Sequence, residues 1–579
     1  MAENQTFDSN RRLLLSGFGA LGVLSLSGCC RLAIQEIKEG HKYNGLTPFS
    51  PSLIQKSVLS SKLTIDAHTH FFNAADVPVK EFMQGPVAHA LPSKITKDLI
   101  YLIAPTVGIL SKFFSLSPAR EINMLDEIVN KQRKMSASDF QIQFDHDIEA
   151  HEREIAKALA IALKNTPFEK EYLEASKKIG LNKVDNTLTE NSIYEAMKFG
   201  TQSYGLTVSK QADIQNADNP DGVFAFVKCM LSPRHHNLQN YIKAYATDSN
   251  AFGVDACLGA LVDFNYWLSC PSNSSSIRDQ VLLHERLAVL SGGYLLPLVP
   301  YNPWTDIKNN RSSLKDVVWA IKEHGFVGVK IYPPMGFYPS GNEDIPAHPN
   351  KWLKSDLRKL DSALKELYRN CIELNVPVMA HTGESNGVDG SYDVLAGPNG
   401  WKAILKDPEF KNLRINAGHF GGDSTWKKEK NEWTNEFVEL MNDTPNQNLY
   451  ADLGYWNDLR VSDKPVKEYA TKRLQSVIDK PLKGGGKVND RIMYGSDWFM
   501  ISKEQNWPDY PSDIAKTIFS FNEPKETIDK IYFKNVANLY GLTKTDLSIN
   551  GNRARLESFY KRWGIEKPAW MIKLDLIVE

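Results

Sequence analysis

Residues 63–72 read LTIDAHTHFF, a β-like run that ends in two histidines one residue apart. Side chains alternate faces along a strand, so His68 and His70 point the same way. Two imidazoles on one face of a strand end can grip one metal ion. The plain alternative for an isolated His-x-His is a pair of polar surface histidines. Four later segments decide between the two. They are Phe326–Tyr332 (FVGVKIY), Pro377–Gly383 (PVMAHTG), Leu413–Gly422 (LRINAGHFGG) and Arg491–Trp498 (RIMYGSDW). Each is an apolar run that ends in a residue able to ligate or titrate: Lys330, His381, His419 and Asp497. In a parallel β/α barrel the C-terminal strand ends converge on one face and carry the chemistry.

The ordered set His-x-His, Lys, His, His, Asp resembles the amidohydrolase superfamily. The wording GVKIYPP, AHTGE, NAGHFGG and YGSDW is similar to its amidohydrolase-related branch, which includes lactonases and metal-dependent decarboxylases. The resemblance runs over about Leu63–Leu542, interrupted by a long insertion. It implies an α/β fold: a (β/α)8 TIM barrel with a helical insertion after strand 1 and a helical C-terminal tail.

The resemblance also implies a mononuclear metal site. His68, His70 and His381 would supply nitrogen donors and Asp497 a carboxylate, with one position left for water. The ion would bring that water's pKa to about 7. Asp497 would take its proton and pass it to the leaving group, and His419 would hold the water or polarise the substrate carbonyl. Lys330 stays open among three roles: an ammonium that binds a substrate carboxylate, a carbamate that bridges two metals, and a lysine that merely lines the barrel. The donors suit one divalent ion. Zinc is the first expectation, and manganese, iron and cobalt are compatible.

Three functions compete. The leading one is a metal-dependent hydrolase acting on a carboxylic ester, lactone or amide. The second is a decarboxylase on the same ligands. The third is a non-catalytic, surface-anchored binding protein, against which the complete set His68, His70, His381, His419 and Asp497 argues.

The 579 residues exceed one plain barrel of about 250. A net charge of −1 gives no footprint for a nucleic-acid partner, so the expected partner is a small-molecule substrate. Six cysteines are too few for a disulfide framework at this size, and Cys229, Cys257, Cys270 and Cys371 read as buried thiols.

Residues 1–30 read as an export signal: Arg11-Arg12, an apolar run Leu13–Leu26, then Ser27-Gly28-Cys29. Leu26-Ser27-Gly28-Cys29 resembles a bacterial lipobox, and the paired arginines resemble a twin-arginine signal. Asn10 and Leu14 stand where that signal usually has Ser/Thr and Phe. The expectation is a lipoprotein anchored to the bacterial envelope membrane through Cys29. Residues 31–62 read as a linker, 63–542 as the barrel and 543–579 as a C-terminal extension.

Residues 73–219 form the insertion, with helical spacing in Ala119–Arg133, Phe144–Lys164, Leu173–Ile179 and Ser192–Phe199. It follows a strand end, so it is expected to cap the pocket. His146 and His151 fit an exposed helix face. Arg234-His235-His236 opens a helix, where positive side chains are electrostatically poor, so a role in the pocket is open. The second strand is Ala256–Asp263, or alternatively Val223–Met230. Asp263-Phe264-Asn265 could line the substrate site. Strands and helices then alternate through Tyr294–Pro300, Lys330, His381, His419, Asn448–Leu453 and Asp497. Tyr332, Phe337, Trp456 and Trp498 lie near strand ends, as ring contacts for substrate or as packing.

Overall fold

A computed structural model of the chain describes residues 46–578, apart from 51–53, 55–61, 89–90, 92, 180–186, 200–218, 247–251, 268–274, 345–353, 385–389, 423–431, 444–445, 462, 522–523 and 546–550. The export signal with Cys29, most of the 31–62 linker, and Cys270 lie outside the described residues.

Eight parallel strands run in sequence order: β1 (Ile65–Thr69), β2 (Ala256–Ala260), β3 (Leu295–Pro300), β4 (Gly328–Ile331), β5 (Val378–His381), β6 (Ile415–Gly418), β7 (Leu449–Asp452) and β8 (Ile492–Met493). β3, LLPLVP, is apolar and buried throughout, as a parallel strand covered on both faces must be. The seam between β8 and β1 is held by backbone bonds. Ala67 N–H donates to Tyr494 O at 2.9 Å and Asp497 N–H to His68 O at 2.7 Å. The result is a nearly closed TIM barrel, as expected.

Seven longer helices lie between β1 and β2: α1 (Lys94–Phe114), α2 (Pro118–Gln132), α3 (Ala137–Leu163), α4 (Pro167–Lys178), α5 (Glu190–Met197), α6 (Asp221–Leu231) and α7 (Arg234–Tyr245). Helices α2 to α5 coincide with the four amphipathic stretches. α1 was not expected, because Pro105 sits inside it and reads as a break. Ser93 starts α1 by accepting from the N–H groups of Ile95 and Thr96.

Two expectations are corrected here. Val223–Met230 is not a strand but part of α6, apolar all round because it is buried all round. His151 does not sit on an exposed face; its ring meets Phe114 at 5.9 Å and His236 at 5.0 Å, whereas His146 is exposed.

Arg234 is fully buried. Its guanidinium donates to Asp76 at 2.5 Å and to Glu121 of α2 at 2.8 Å. The positive start of α7 is therefore answered by protein carboxylates rather than by a substrate. Glu121 also accepts from His235, through its N–H at 2.7 Å and its ring at 2.9 Å.

Barrel helices follow: α8 (Ile277–Leu290), α9 (Ser312–Glu323), α10 (Lys354–Glu373), α11 (Trp433–Asp443), α12 (Lys464–Ile478) and α13 (Tyr510–Phe519). The tail forms α14 (Asn552–Trp563) and α15 (Ala569–Val578). It packs where strands begin. Asn552 donates to Val327 O just before β4, Trp570 to Gly293 O just before β3, and Lys573 pairs with Asp255 just before β2. The tail thus covers the end of the barrel opposite the strand termini. Among the described residues no single helix is long and apolar enough to cross a membrane. Cys229, Cys257 and Cys371 are buried free thiols.

Candidate metal centre

The strand carrying His-x-His is irregular. Asp66 pairs with Cys257 and Thr69 with Gly259, so three steps on β1 oppose two on β2. The extra residue lets neighbouring polar side chains serve different layers. Asp66 accepts from Tyr241 of α7 at 2.8 Å, in the helical layer. His68 instead reaches Asp452 of β7, two strands away across the barrel interior, at 3.0 Å.

Each site histidine is oriented by a bond at Nδ1. His68 donates to Asp452 Oδ1 at 3.0 Å, His70 to Ala260 O at 2.8 Å, and His419 to Gly454 O at 2.9 Å. When neutral, each then carries its lone pair at Nε2. The Nε2 atoms of His68 and His70 lie 3.5 and 3.4 Å from Asp497 Oδ1. The three ligand atoms of His68, His70 and Asp497 all lie within 4.8 Å of one another, and all three residues are buried.

His381 stands beside this group and not in it. Its Nδ1 lies 3.0 Å from His419 Nε2. With the His419 proton held on Nδ1, His381 is the donor, and its own lone pair is left on Nε2. That buried Nε2 has no hydrogen-bond partner among the described residues. Of the four expected ligands, the structure brings three together and leaves the fourth with a free nitrogen nearby.

Burial sets the charge state of the site. It is the main cause that holds His68 and His381 well below the usual imidazole range, and it pulls His70 to about 3 and His419 to about 4. Lys330 contributes in the same direction at each of them. Burial also raises the Asp497 carboxyl and lowers the Lys330 ammonium, the two opposing charges partly offsetting this. Lys330 Nζ lies 3.4 Å from His68 Nε2. The expected lysine therefore points into the site and does not merely line the barrel.

Close packing enforces this arrangement. A Cβ on Gly454 would come within 2.7 Å of His68 Nδ1 and 2.9 Å of Asp452 Oδ1. His419 and Asp497 both adopt left-handed backbone, at φ +72° and +57°. For non-glycine residues that conformation costs about 1–3 kcal/mol and persists only where the surroundings impose it.

Among the named aromatics, Tyr332 stacks on His381 with ring centroids 4.5 Å apart. Trp456 braces the loop, donating from Nε1 to His419 O at 3.0 Å. Trp498 instead packs on Phe71 and on Tyr241 of α7, and Phe337 is buried. Asp263 is occupied by its own loop, accepting from Asn265 N–H and Thr305 Oγ1, while burial lifts its carboxyl to about 6. Its neighbour Phe264 joins a run of rings: His381, Tyr332, Trp267, Phe264, Phe72, His70, with successive centroids 4.5–6.2 Å apart.

Asp452 was missed by the sequence reading. Its carboxylate accepts from His68, from the N–H groups of His419 and Gly454, and from Asn416 Nδ2. The signal was present: Leu449–Asp452 is an apolar run ending in a carboxylate, the same signature that marked four other strands.

The residues fit a divalent ion. Neutral imidazole lone pairs and a carboxylate oxygen converge, and a further histidine offers an unpartnered nitrogen.

A family model described as amidohydrolase matches residues 313–542. A comparison with curated proteins returned no match. Among solved structures, an amidohydrolase from Burkholderia multivorans with bound HEPES is similar at 11% identity over 52% of this chain and 87% of that one, with a TM-score of 0.35. A probable 2-pyrone-4,6-dicarboxylic acid hydrolase from Acinetobacter baumannii with citric acid bound is 14% identical over 53% and 89%, with a TM-score of 0.32. A 5-carboxyvanillate decarboxylase from Sphingomonas paucimobilis is 12% identical over 50% and 80%, with a TM-score of 0.30. The matched residues 313–542 carry β4 to β8 with Lys330, His381, His419 and Asp497, and through them the chain belongs to the amidohydrolase-related family of TIM-barrel enzymes.

Proposed function

We propose that this enzyme is a metal-dependent hydrolase that cleaves a carboxylic ester, lactone or amide with an activated water. The observation that carries the reading is the convergence of His68 Nε2, His70 Nε2 and Asp497 Oδ1, with both rings oriented from behind. A divalent ion held there lowers the pKa of a coordinated water to about 7 and polarises a carbonyl. His381, through its free Nε2, is the fourth donor. Asp497 takes the proton of the attacking water and delivers it to the leaving oxygen or nitrogen. His419, with its proton held on Gly454 O, presents a lone pair and orients the water. Lys330 holds a substrate carboxylate as an ammonium.

A decarboxylase is the second reading. The run of rings from Tyr332 to Phe72 and the buried Lys330 favour an aromatic carboxylate as substrate. Metal analysis comes first: one ion per chain is expected, and full activity in protein that holds none would end the metal reading. A panel of esters, lactones, amides and aromatic carboxylates then separates the two reactions. Cleavage with one oxygen taken from labelled water supports hydrolysis; release of carbon dioxide from an otherwise intact ring makes the protein a decarboxylase.

The insertion is assigned as a cap over the barrel mouth. Phe72, at the exit of β1, packs on Phe82 within the insertion and on Phe264 beyond β2. Removing residues 73–219 should leave the barrel folded with an altered substrate range. We also propose anchoring to the envelope membrane through a lipid on Cys29. Radioactive fatty acid should label the wild type and not Cys29→Ala; label retained by the variant would end that proposal.

A further inference from the structure

A second cavity, of about 750 Å³, lies away from the metal centre. It opens between the insertion and the segment that follows β8. Its size falls within the range of small-molecule sites, which often sit where two substructures meet. Its walls are of two kinds. Trp498 and Trp507, with centroids 6.1 Å apart, are 1% and 5% exposed and form an apolar floor. Lys198, Lys228, Lys243 and Lys516 line the rest, from α5, α6, α7 and α13.

The charge is not balanced from within. Only two acidic side chains line the cavity, Glu152 and Asp509. Glu152 serves Lys228 at 3.6 Å, with both side chains largely buried. The printed partners of the other three lysines are Glu195, Asp145 and Asp513, none of which lines the cavity. Four ammonium groups around a two-acid space leave a net positive lining above indole rings. Such a surface takes an anion with a flat apolar body.

We infer that this cavity is a binding site, separate from the metal centre, for a small organic anion with an apolar body, such as an aromatic carboxylate or sulfonate. The head group sits among Lys228, Lys243 and Lys198, and the body lies against Trp498 and Trp507. The site does not depend on the reaction proposed above, because none of its lining residues is a proposed ligand or base.

The test is titration of the full chain with 8-anilinonaphthalene-1-sulfonate, followed by the probe's fluorescence. One saturable site per chain is expected. Lys243→Glu, a change at a part-exposed lysine, and Ala244→Trp, which fills the cavity from its rim, should each weaken binding at least tenfold. His68→Ala, in the metal centre, should leave binding unchanged. Thermal melts of each variant confirm that the fold is kept. Absence of a saturable site, binding indifferent to both cavity variants, or binding lost in His68→Ala would each overturn the inference.

Discussion

His68 donates from Nδ1 to Asp452 Oδ1 across the barrel interior at 3.0 Å, and this contact points the His68 Nε2 lone pair at Asp497. A carboxylate behind a ligating histidine sets its tautomer and raises its basicity. Asp452→Asn should therefore weaken metal affinity about 10- to 100-fold while the fold is retained. Competition with a chelator of known affinity measures it. Unchanged affinity would remove Asp452 from the site.

Gly454 is a test of close approach. The Cβ of Gly454→Ala would press on both His68 Nδ1 and Asp452 Oδ1, and neither can yield without breaking their bond. Metal retention should fall in this variant as it does in Asp452→Asn. Full metal content and turnover would show that the pair has slack.

Asp497 and His419 separate by role. Asp497→Asn keeps an oxygen for the ion but cannot accept a proton at neutral pH, so turnover should be lost while the protein stays folded. His419→Asn should retain the ion more fully. Wild-type turnover by Asp497→Asn would overturn the assigned base. Loss of the ion from His419→Asn as complete as from His68→Ala would make His419 a ligand and the site binuclear, with Lys330 as the bridging carbamate.

Arg234 predicts the cost of an uncompensated charge. Arg234→Met would leave Asp76 and Glu121 buried without their cation. Breaking such a cluster costs about 3–5 kcal/mol. Urea unfolding should show a loss of that size, and a loss under about 1 kcal/mol would mean that the cluster relaxes.

His284 on α8 carries a pH dependence of defined sign. It donates from Nδ1 to Gln280 O at 2.9 Å, and burial pulls its pKa to about 4. The unfolded chain, with an imidazole pKa of about 6.5, binds the extra proton first. The stability tied to His284 is therefore complete above about 6.5 and is lost as pH falls toward 4, by about 1.4 kcal/mol per unit. His284→Gln cannot titrate. The stability difference between wild type and variant should shift by about 2 kcal/mol in the variant's favour from pH 7 to pH 5. A difference that stays flat with pH would show that His284 is protonated without penalty.

The barrel was legible because its signals are local. Apolar runs of strand length, each closed by a titratable residue, recur in one order from His68 to Asp497, and amphipathic spacing marks α2 to α5. Pro105 hid α1, and α6 looked like a strand because full burial erases helical periodicity. The sequence by itself determined which residue types stand at the strand ends, and hence the kind of chemistry. Tertiary structure alone decided their partners. The bulge in β1 turns Asp66 to Tyr241 and His68 to Asp452, and the bond to His419 leaves His381 beside the triad with a free nitrogen. Arg234, whose charge at a helix start suggested a pocket role, is instead enclosed by Asp76 and by Glu121, 113 positions before it. The physical reason is range: periodicity and caps act within a few residues, whereas a hydrogen bond between strands depends on how the whole sheet closes.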